Sequence, residues 1–322
     1  DNLPWLEFRR VLFRSTGGAG FIASNIVDAY IQKGHEVVVI DNLITGFKEN
    51  INPKAKFIEM DIKDSRLEEL FQSEKFEIVN HHAAQMDIRI SVNNPIFDAQ
   101  TNIIGGINIY EAARKSGVKK IIFASTGGAI YGEQSYFPAD EEHPTNPCSP
   151  YGISKLTNEK YLYYYKNEYN IDYAILRYGN VFGPRQSYKG EAGVVAIFVN
   201  KILSGEQSVI NGDGLNTRDY VYIEDVVNAN LFALNDNFHG IYNVSTGKET
   251  DVNTIFDLIV KISGSNCKEY HGPAKPGEQR RSVCSYDKIQ NDFNWSPKTK
   301  LDDGLKKTFD YFKSKFNAKL NN

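Results

Sequence analysis

The sequence predicts an α/β fold: a doubly wound parallel sheet with a smaller mixed α/β lobe. Three observations carry this expectation. Apolar runs of strand length alternate with helical stretches between residues 16 and 178, a glycine-spaced turn opens the series, and polar residues gather where the strands end. At 322 residues the chain can bury a large core, as one domain or as two lobes.

The signal begins at Thr16, with Thr-Gly-Gly-Ala-Gly-Phe-Ile-Ala. Gly17, Gly20 and Ala23 have the spacing of a short dinucleotide loop, in which glycines let the backbone approach a pyrophosphate on the amino end of the next helix. That helix is expected over 21–33, with Ile22, Ile26, Ala29 and Tyr30 on one side and Gly34 as its stop. A strand over 36–40 follows and ends in Asp41. An acid about 20 residues beyond the loop can bind ribose hydroxyls. It would repel a 2′-phosphate and no arginine follows nearby, so NAD is favoured over NADP. Together these features predict a Rossmann-like sheet.

The alternation continues with a strand over 56–60 ending at Asp61, which either flanks the adenine or simply turns the chain. A strand over 77–81 leads to Ala83, Ala84 and Gln85, small residues against which a cofactor could lie. His81 and His82 lack the spacing of a metal site and are read as packing residues. A helix over 102–115 and a strand over 119–124 lead into Ser125-Thr126-Gly127-Gly128-Ala129-Ile130-Tyr131-Gly132.

The segment before Thr16 fits this scheme poorly. Asp1 to Ser15 mixes charged residues with Trp5, Leu6 and Phe8, and Arg14 and Ser15 intrude after Val11-Leu12-Phe13. A buried strand does not normally carry an unpartnered arginine. Residues 1–15 are therefore expected to be foreign to the domain, with a makeshift first strand. The division that follows is 16–178 for the dinucleotide domain, 179–316 for the second lobe with some chain returning to the sheet, and 317–322 for a loose tail.

Composition excludes several classes. The formal net charge is -3 with 24% charged residues, so attraction to nucleic acid or a membrane surface has no electrostatic support. No apolar run reaches spanning length. Cys148, Cys267 and Cys284 are scattered and odd in number, which argues against a disulfide framework or a zinc site and for a cytoplasmic protein. Cys148 is expected to be buried or half-buried.

Ser149-Pro-Tyr-Gly-Ile-Ser-Lys155 carries the candidate chemistry. Ser149 is a plausible cap and Pro150 suits a first turn, placing Tyr151 and Lys155 one turn apart on a helix face. A phenol with a pKa near ~10 is a poor base at neutral pH, and a neighbouring ammonium favours its phenolate. Tyr161, Tyr163, Tyr164, Tyr165 and Tyr169 follow on the same helix. They form part of a subunit interface or cover the sheet.

With TGGAGFI at Thr16, DN at Asp41, HHAAQ at His81, STGGAIYGE at Ser125, SPYGISK at Ser149, LRYGNVFGPRQ at Leu176, GEAGVVAIF at Gly190 and GDGLNTRDYVYIEDV at Gly212, the chain resembles the extended short-chain dehydrogenase/reductases. The likeness runs from Thr16 to about Tyr311 and is strongest to nucleotide-sugar epimerases of the UDP-glucose 4-epimerase group. The resemblance implies oxidation of a UDP-hexose at C4, rotation of the ketone and return of the hydride, with NAD retained throughout. It makes Tyr151 the base and Lys155 its activator and nicotinamide-ribose ligand. It sets Phe21, Ile22, Asn42, Asp61, Ile62, Asn102, Ser125 and Tyr178 beside the cofactor, and Gln85 beside the substrate.

It further implies that Asn180, Arg218 and Arg280 bind the diphosphate, with Lys275 where some relatives use arginine and Val195 against the uracil. For Arg218 the alternative is a salt bridge with Asp219 or Asp225. Ser282 stands where relatives gate the sugar pocket, so a small residue there suggests UDP-N-acetylhexosamines as further substrates. One departure concerns the hydroxyl that many relatives carry four residues before the tyrosine of the V-Y-G triplet. Here that residue is Gly127, so Thr126 relays the proton or merely turns the backbone. A homodimer through two helices is implied as well. The alternatives are a lyase, which Gly127, Gly128 and Ala129 fail to equip with a dehydratase's acid and base, and a non-catalytic NAD-binding regulator.

Overall fold

A computed structural model of the chain describes residues 12–188, 193–274 and 279–320. Apolar runs of four to seven residues make the sheet. β1 (Leu12–Thr16), β2 (Glu36–Asp41), β3 (Lys56–Glu59) and β4 (Ile78–His81) form its first half. α1 (Phe21–Gln32) links β1 to β2, and α2 (Leu67–Glu74) links β3 to β4. After β4 come α3 (Ile88–Asn93), α4 (Pro95–Asp98), a π-helical turn over Ala99–Ile104 and α5 (Gly105–Ser116). β5 (Lys120–Thr126), α6 (Pro150–Tyr169) and β6 (Asp172–Tyr178) follow.

Beyond residue 178 most strands are shorter: β7 (Asn180–Phe182), β8 (Ile210–Asn211), β9 (Thr217–Arg218) and β10 (Tyr220–Tyr222), with α7 (Val194–Leu203) between β7 and β8. Then come α8 (Ile223–Phe232), β11 (Gly240–Val244), β12 (Thr250–Asp251), α9 (Val252–Ser263), β13 (His271–Gly272), α10 (Asp287–Phe293) and α11 (Leu301–Leu320).

The main sheet has seven strands in the order β11-β6-β5-β4-β1-β2-β3, and every neighbouring pair is parallel. The order reverses between β1 and β4, which is where an open sheet of this kind leaves a crevice beyond its strand ends. Successive residues point to opposite faces. Val37 and Val39 join one core cluster with Phe13 and Tyr30, while Val38 and Ile40 join the other with Val79 and Phe123. The first cluster continues into Val195, Phe198, Ile255 and Phe309, so α7, α9 and α11 share their core with one sheet face. The remaining strands form three two-stranded ladders, β10-β7, β12-β9 and β13-β8.

Two expectations at the ends of the chain change. Arg14 and Ser15 do not interrupt the first strand: β1 runs through both, with Arg14 paired between Val38 and Val79. Arg14 is fully buried, and its Nε, Nη1 and Nη2 find no hydrogen-bond partner among the described residues. Its guanidinium lies 3.8 Å from the Phe71 ring centroid, and burial holds its pKa well below the usual range. At the other end α11 is helical through Leu320, where a loose tail was expected from 317.

Candidate active site

The crevice beyond the strand ends is built first from the glycine loop. Gly17 has φ +72°, and a β-carbon there would stand 2.8 Å from the Ala83 nitrogen. Only glycine lets the loop rest on the chain leaving β4. α1 begins at Gly20 without a side-chain cap and with no acid in its first turn. Its leading N–H groups thus form an anion-binding end of the kind a pyrophosphate occupies. Asp41 is buried at the tip of β2, and its carboxylate accepts from Ala19 N at 3.0 Å and Leu43 N at 2.8 Å. Burial raises its pKa, and those two bonds oppose the rise. Asn42 donates to Asp61 at 2.9 Å, joining the tips of β2 and β3. Loop, uncapped helix and strand-end acid fit a dinucleotide.

On the far side of the reversal stands α6. Ser149 Oγ accepts from Gly152 N at 3.1 Å, and Pro150 opens the first turn. Tyr151 is half-buried, and its backbone N–H donates to Ser91 Oγ at 3.3 Å. Lys155 is buried, with Nζ donating to Ala124 O at 2.7 Å and lying 5.8 Å from the Tyr151 ring centroid. Burial lowers its pKa to about 8, while the nearby charges of Asp98 and Glu159 oppose that fall. The structure thus brings the tyrosine and lysine together at the strand ends.

Several side chains named from sequence are engaged in holding this frame. Asn102, on the π-helical turn, accepts from Gln85 N at 2.8 Å and donates to Gln85 O at 2.9 Å. Gln85 in turn closes on Asp87, accepting from its N–H and donating to its carbonyl. Ser125 Oγ donates to Glu159 at 2.6 Å. Ile62 packs over Gly105. Tyr178 is buried against His82, at 3.1 Å from its Nε2, and accepts from Asn230 at 2.9 Å. His81 sits 2.7 Å from Thr16 Oγ1, and burial lowers the pKa of both histidines.

Gly127 has no space for the missing hydroxyl side chain. A β-carbon there would lie 2.8 Å from Cys284 Sγ and 3.3 Å from Tyr178 O. Thr126, the last residue of β5, is half-buried. Asn180 is exposed, with its Oδ1 3.5 Å from a β-carbon built on Gly128. In the second half Val195 is buried in the core, in the first turn of α7. Arg218 donates to Thr217 O at 2.7 Å. Asp219 is taken up by Thr246 and Gly247, and Asp225 by the backbone of Lys298 and Thr299. Arg280 is exposed and paired with Asp213 at 2.8 Å. Ser282 is buried, and Lys275 lies outside the described residues. Cys148 is exposed, not buried as expected, because its side chain lies in the turn before α6 and reaches only Asn146 O.

Sequence reasoning missed a buried set behind the lysine. Glu159 receives two hydrogen bonds from Arg177, at 3.0 and 2.6 Å, and Arg177 also donates to Tyr131 at 3.0 Å. Glu159 follows Lys155 by four residues on the same helix, a signal the sequence did offer. Asp98 is buried between α6 and the turn that follows α4, and nothing in its local sequence marks it.

Fold and site together define a dinucleotide-binding α/β protein whose strand-end crevice carries a tyrosine–lysine pair. The family model of the NAD dependent epimerase/dehydratase family matches residues 16–245. The chain belongs to that family, and NAD is its cofactor. Among solved structures it is similar to a UDP-glucose 4-epimerase of Thermotoga maritima crystallised with UDP-glucose, at 46% identity and TM-score 0.93 over 94% of this chain and 99% of that one. A Thermus thermophilus UDP-glucose 4-epimerase in complex with NAD is 41% identical, with TM-score 0.89 over 94% of this chain and 98% of that one. A UDP-N-acetylglucosamine 4-epimerase of Methanobrevibacter ruminantium, in complex with UDP-N-acetylmuramic acid, is 33% identical with TM-score 0.90. It covers 96% of this chain and 100% of that one. No described helix is long and apolar enough to cross a membrane.

Proposed function

We propose that the chain is an NAD-dependent 4-epimerase, an isomerase that interconverts UDP-glucose and UDP-galactose in the cytoplasm. The observation that supports this most is Tyr151 standing one turn from a buried lysine at the sheet's reversal point, opposite an uncapped helix start. Gly17, Gly20, Phe21 and Ile22 would hold the pyrophosphate of NAD, Asp41 and Asn42 the adenosine ribose, and Lys155 the nicotinamide ribose. Held there, NAD would supply the hydride acceptor and donor for C4 of the sugar.

The chain's own residues do the rest. Tyr151 takes the C4 hydroxyl proton and gives it back after the ketone has turned, and Lys155 holds the phenol toward phenolate. Thr126 passes that proton, since position 127 has no side chain. Asn180, Arg218, Arg280 and Lys275 hold the diphosphate, and arginine's planar fork suits that task. For Arg280 this requires release from Asp213. Gly127 and Gly128 carry no ionisable group, which disfavours dehydration. A small Ser282 at the gating position favours a reading in which UDP-N-acetylglucosamine is a second substrate.

Purified protein given UDP-galactose without added cofactor is expected to yield UDP-glucose. Tyr151→Phe is expected to cut turnover by about 10²- to 10⁴-fold with an unchanged circular dichroism melt. Near-normal turnover by that variant would remove the assignment. Absence of UDP-N-acetylgalactosamine conversion beside brisk UDP-galactose conversion would reject the second-substrate reading alone.

A further inference from the structure

Asp98 is fully buried at the end of α4, and among the described residues no lysine or arginine forms an ion pair with it. Its carboxylate receives neutral donors only. Ser154 Oγ donates to Oδ1 at 2.5 Å, and Asn102 Nδ2 and Gln85 Nε2 donate to Oδ2 at 3.1 and 3.4 Å. A buried carboxylate without a counter-charge is costly unless a cation shares its surroundings. The buried cation nearest in sequence to its contacts is Lys155, next to Ser154.

Other charged and titratable groups face that ammonium. From α6 come Tyr151 and Glu159, and from the end of β4 come His81 and His82, both kept neutral by burial. Arg177 of β6 reaches this set through Glu159. Glu159 is already neutralised by Arg177 at 2.6 Å and hydrogen-bonded by Ser125. Asp98 is the other carboxylate whose charge opposes the loss of the Lys155 proton.

We infer that Asp98 is a positioning residue of the reaction, fixing the first turns of α6 through Ser154 and keeping Lys155 an ammonium beside Tyr151. The inference rests on the roles given to Tyr151 and Lys155 above. Through Asn102 and Gln85, the same carboxylate also ties α6 to the loop after β4, so one group sets both the charge and the width of the crevice.

The test is an NMR titration of the NAD-loaded protein labelled at lysine Cε, with the Lys155 signal identified by its loss in Lys155→Met. Wild type is expected to titrate near 8. Asp98→Asn is expected to lower that midpoint by about one pH unit, with the alkaline limb of the kcat profile moving alongside and KM little changed. Ser154→Ala, which removes the hydrogen bond but not the charge, is expected to leave the midpoint in place. Asp98→Ser is the second neutral variant should Asn not fold. A folded neutral variant with an unchanged Lys155 midpoint overturns the inference. Equal turnover by wild type and Lys155→Met would instead overturn the catalytic assignment, while the titration still reports on Asp98.

Discussion

At Gly127 the backbone runs so close to Cys284 that even a β-carbon would overlap the sulfur. Gly127→Ser is expected to cost about 1–3 kcal/mol through overpacking, read as a lower urea midpoint. In a double-mutant cycle with Cys284→Ala the coupling should be favourable, because the second change removes the atom that the first one meets. Additive effects would show that the loop moves aside instead. The tyrosine–lysine pair was legible because helix periodicity alone puts residues 151 and 155 on one face. The engagement of Ser125 with Glu159 was not, since the partners are 34 residues apart and meet only after β5 and α6 have packed.

Among the elements, β1 is the one whose sequence and surroundings disagree. Its backbone forms complete parallel ladders with β2 and β4, yet it drives a guanidinium into the apolar layer between the sheet and α2. The ring face of Phe71 returns part of the desolvation cost, but an unpaired buried charge costs several kcal/mol. Arg14→Leu is expected to raise stability by about 2–4 kcal/mol in urea unfolding. An unchanged or lower midpoint would mean that Arg14 reaches water or a partner. The sequence revealed this conflict because the charge stands in a run that must be buried on both faces. It did not reveal the π-helical turn at Ala99–Ile104, whose second half was read as the start of a plain helix from 102. That turn depends on Asn158 Nδ2 bonding Asn102 O at 3.0 Å, a contact from a distant helix.

At the scale of the molecule, the strand–helix alternation, the crossover and the crevice were all readable from period and punctuation, because a parallel sheet forces its polar chemistry to the strand ends. The three small ladders beyond residue 178 were not, being two or three residues long and lacking any period. An exposed apolar surface remains on elements that pack against one another. Ile96 is 70% exposed, Ile104 56%, Ile153 51% and Tyr163 59%. Surfaces of this kind mark interfaces, and we propose that a second copy of the chain covers this one. Tyr163→Glu with Ile96→Glu is expected to halve the mass seen by light scattering. A wild-type protein that is already monomeric would reject the dimer.

The edge strand β11 comes from far along the chain, yet it finishes the main sheet against β6 and bonds the loop ahead of Tyr151. Asn243 accepts from Tyr131 at 2.7 Å and donates to Ala139 O at 3.1 Å. A nascent polypeptide that has emerged only through β6 would hold the residues assigned above to the dinucleotide but not the brace for the loop before α6. Cofactor capture is therefore expected to wait for β11. A fragment ending at Leu203 is expected to retain no NAD through gel filtration. Retention comparable to the whole chain would show that the brace is dispensable.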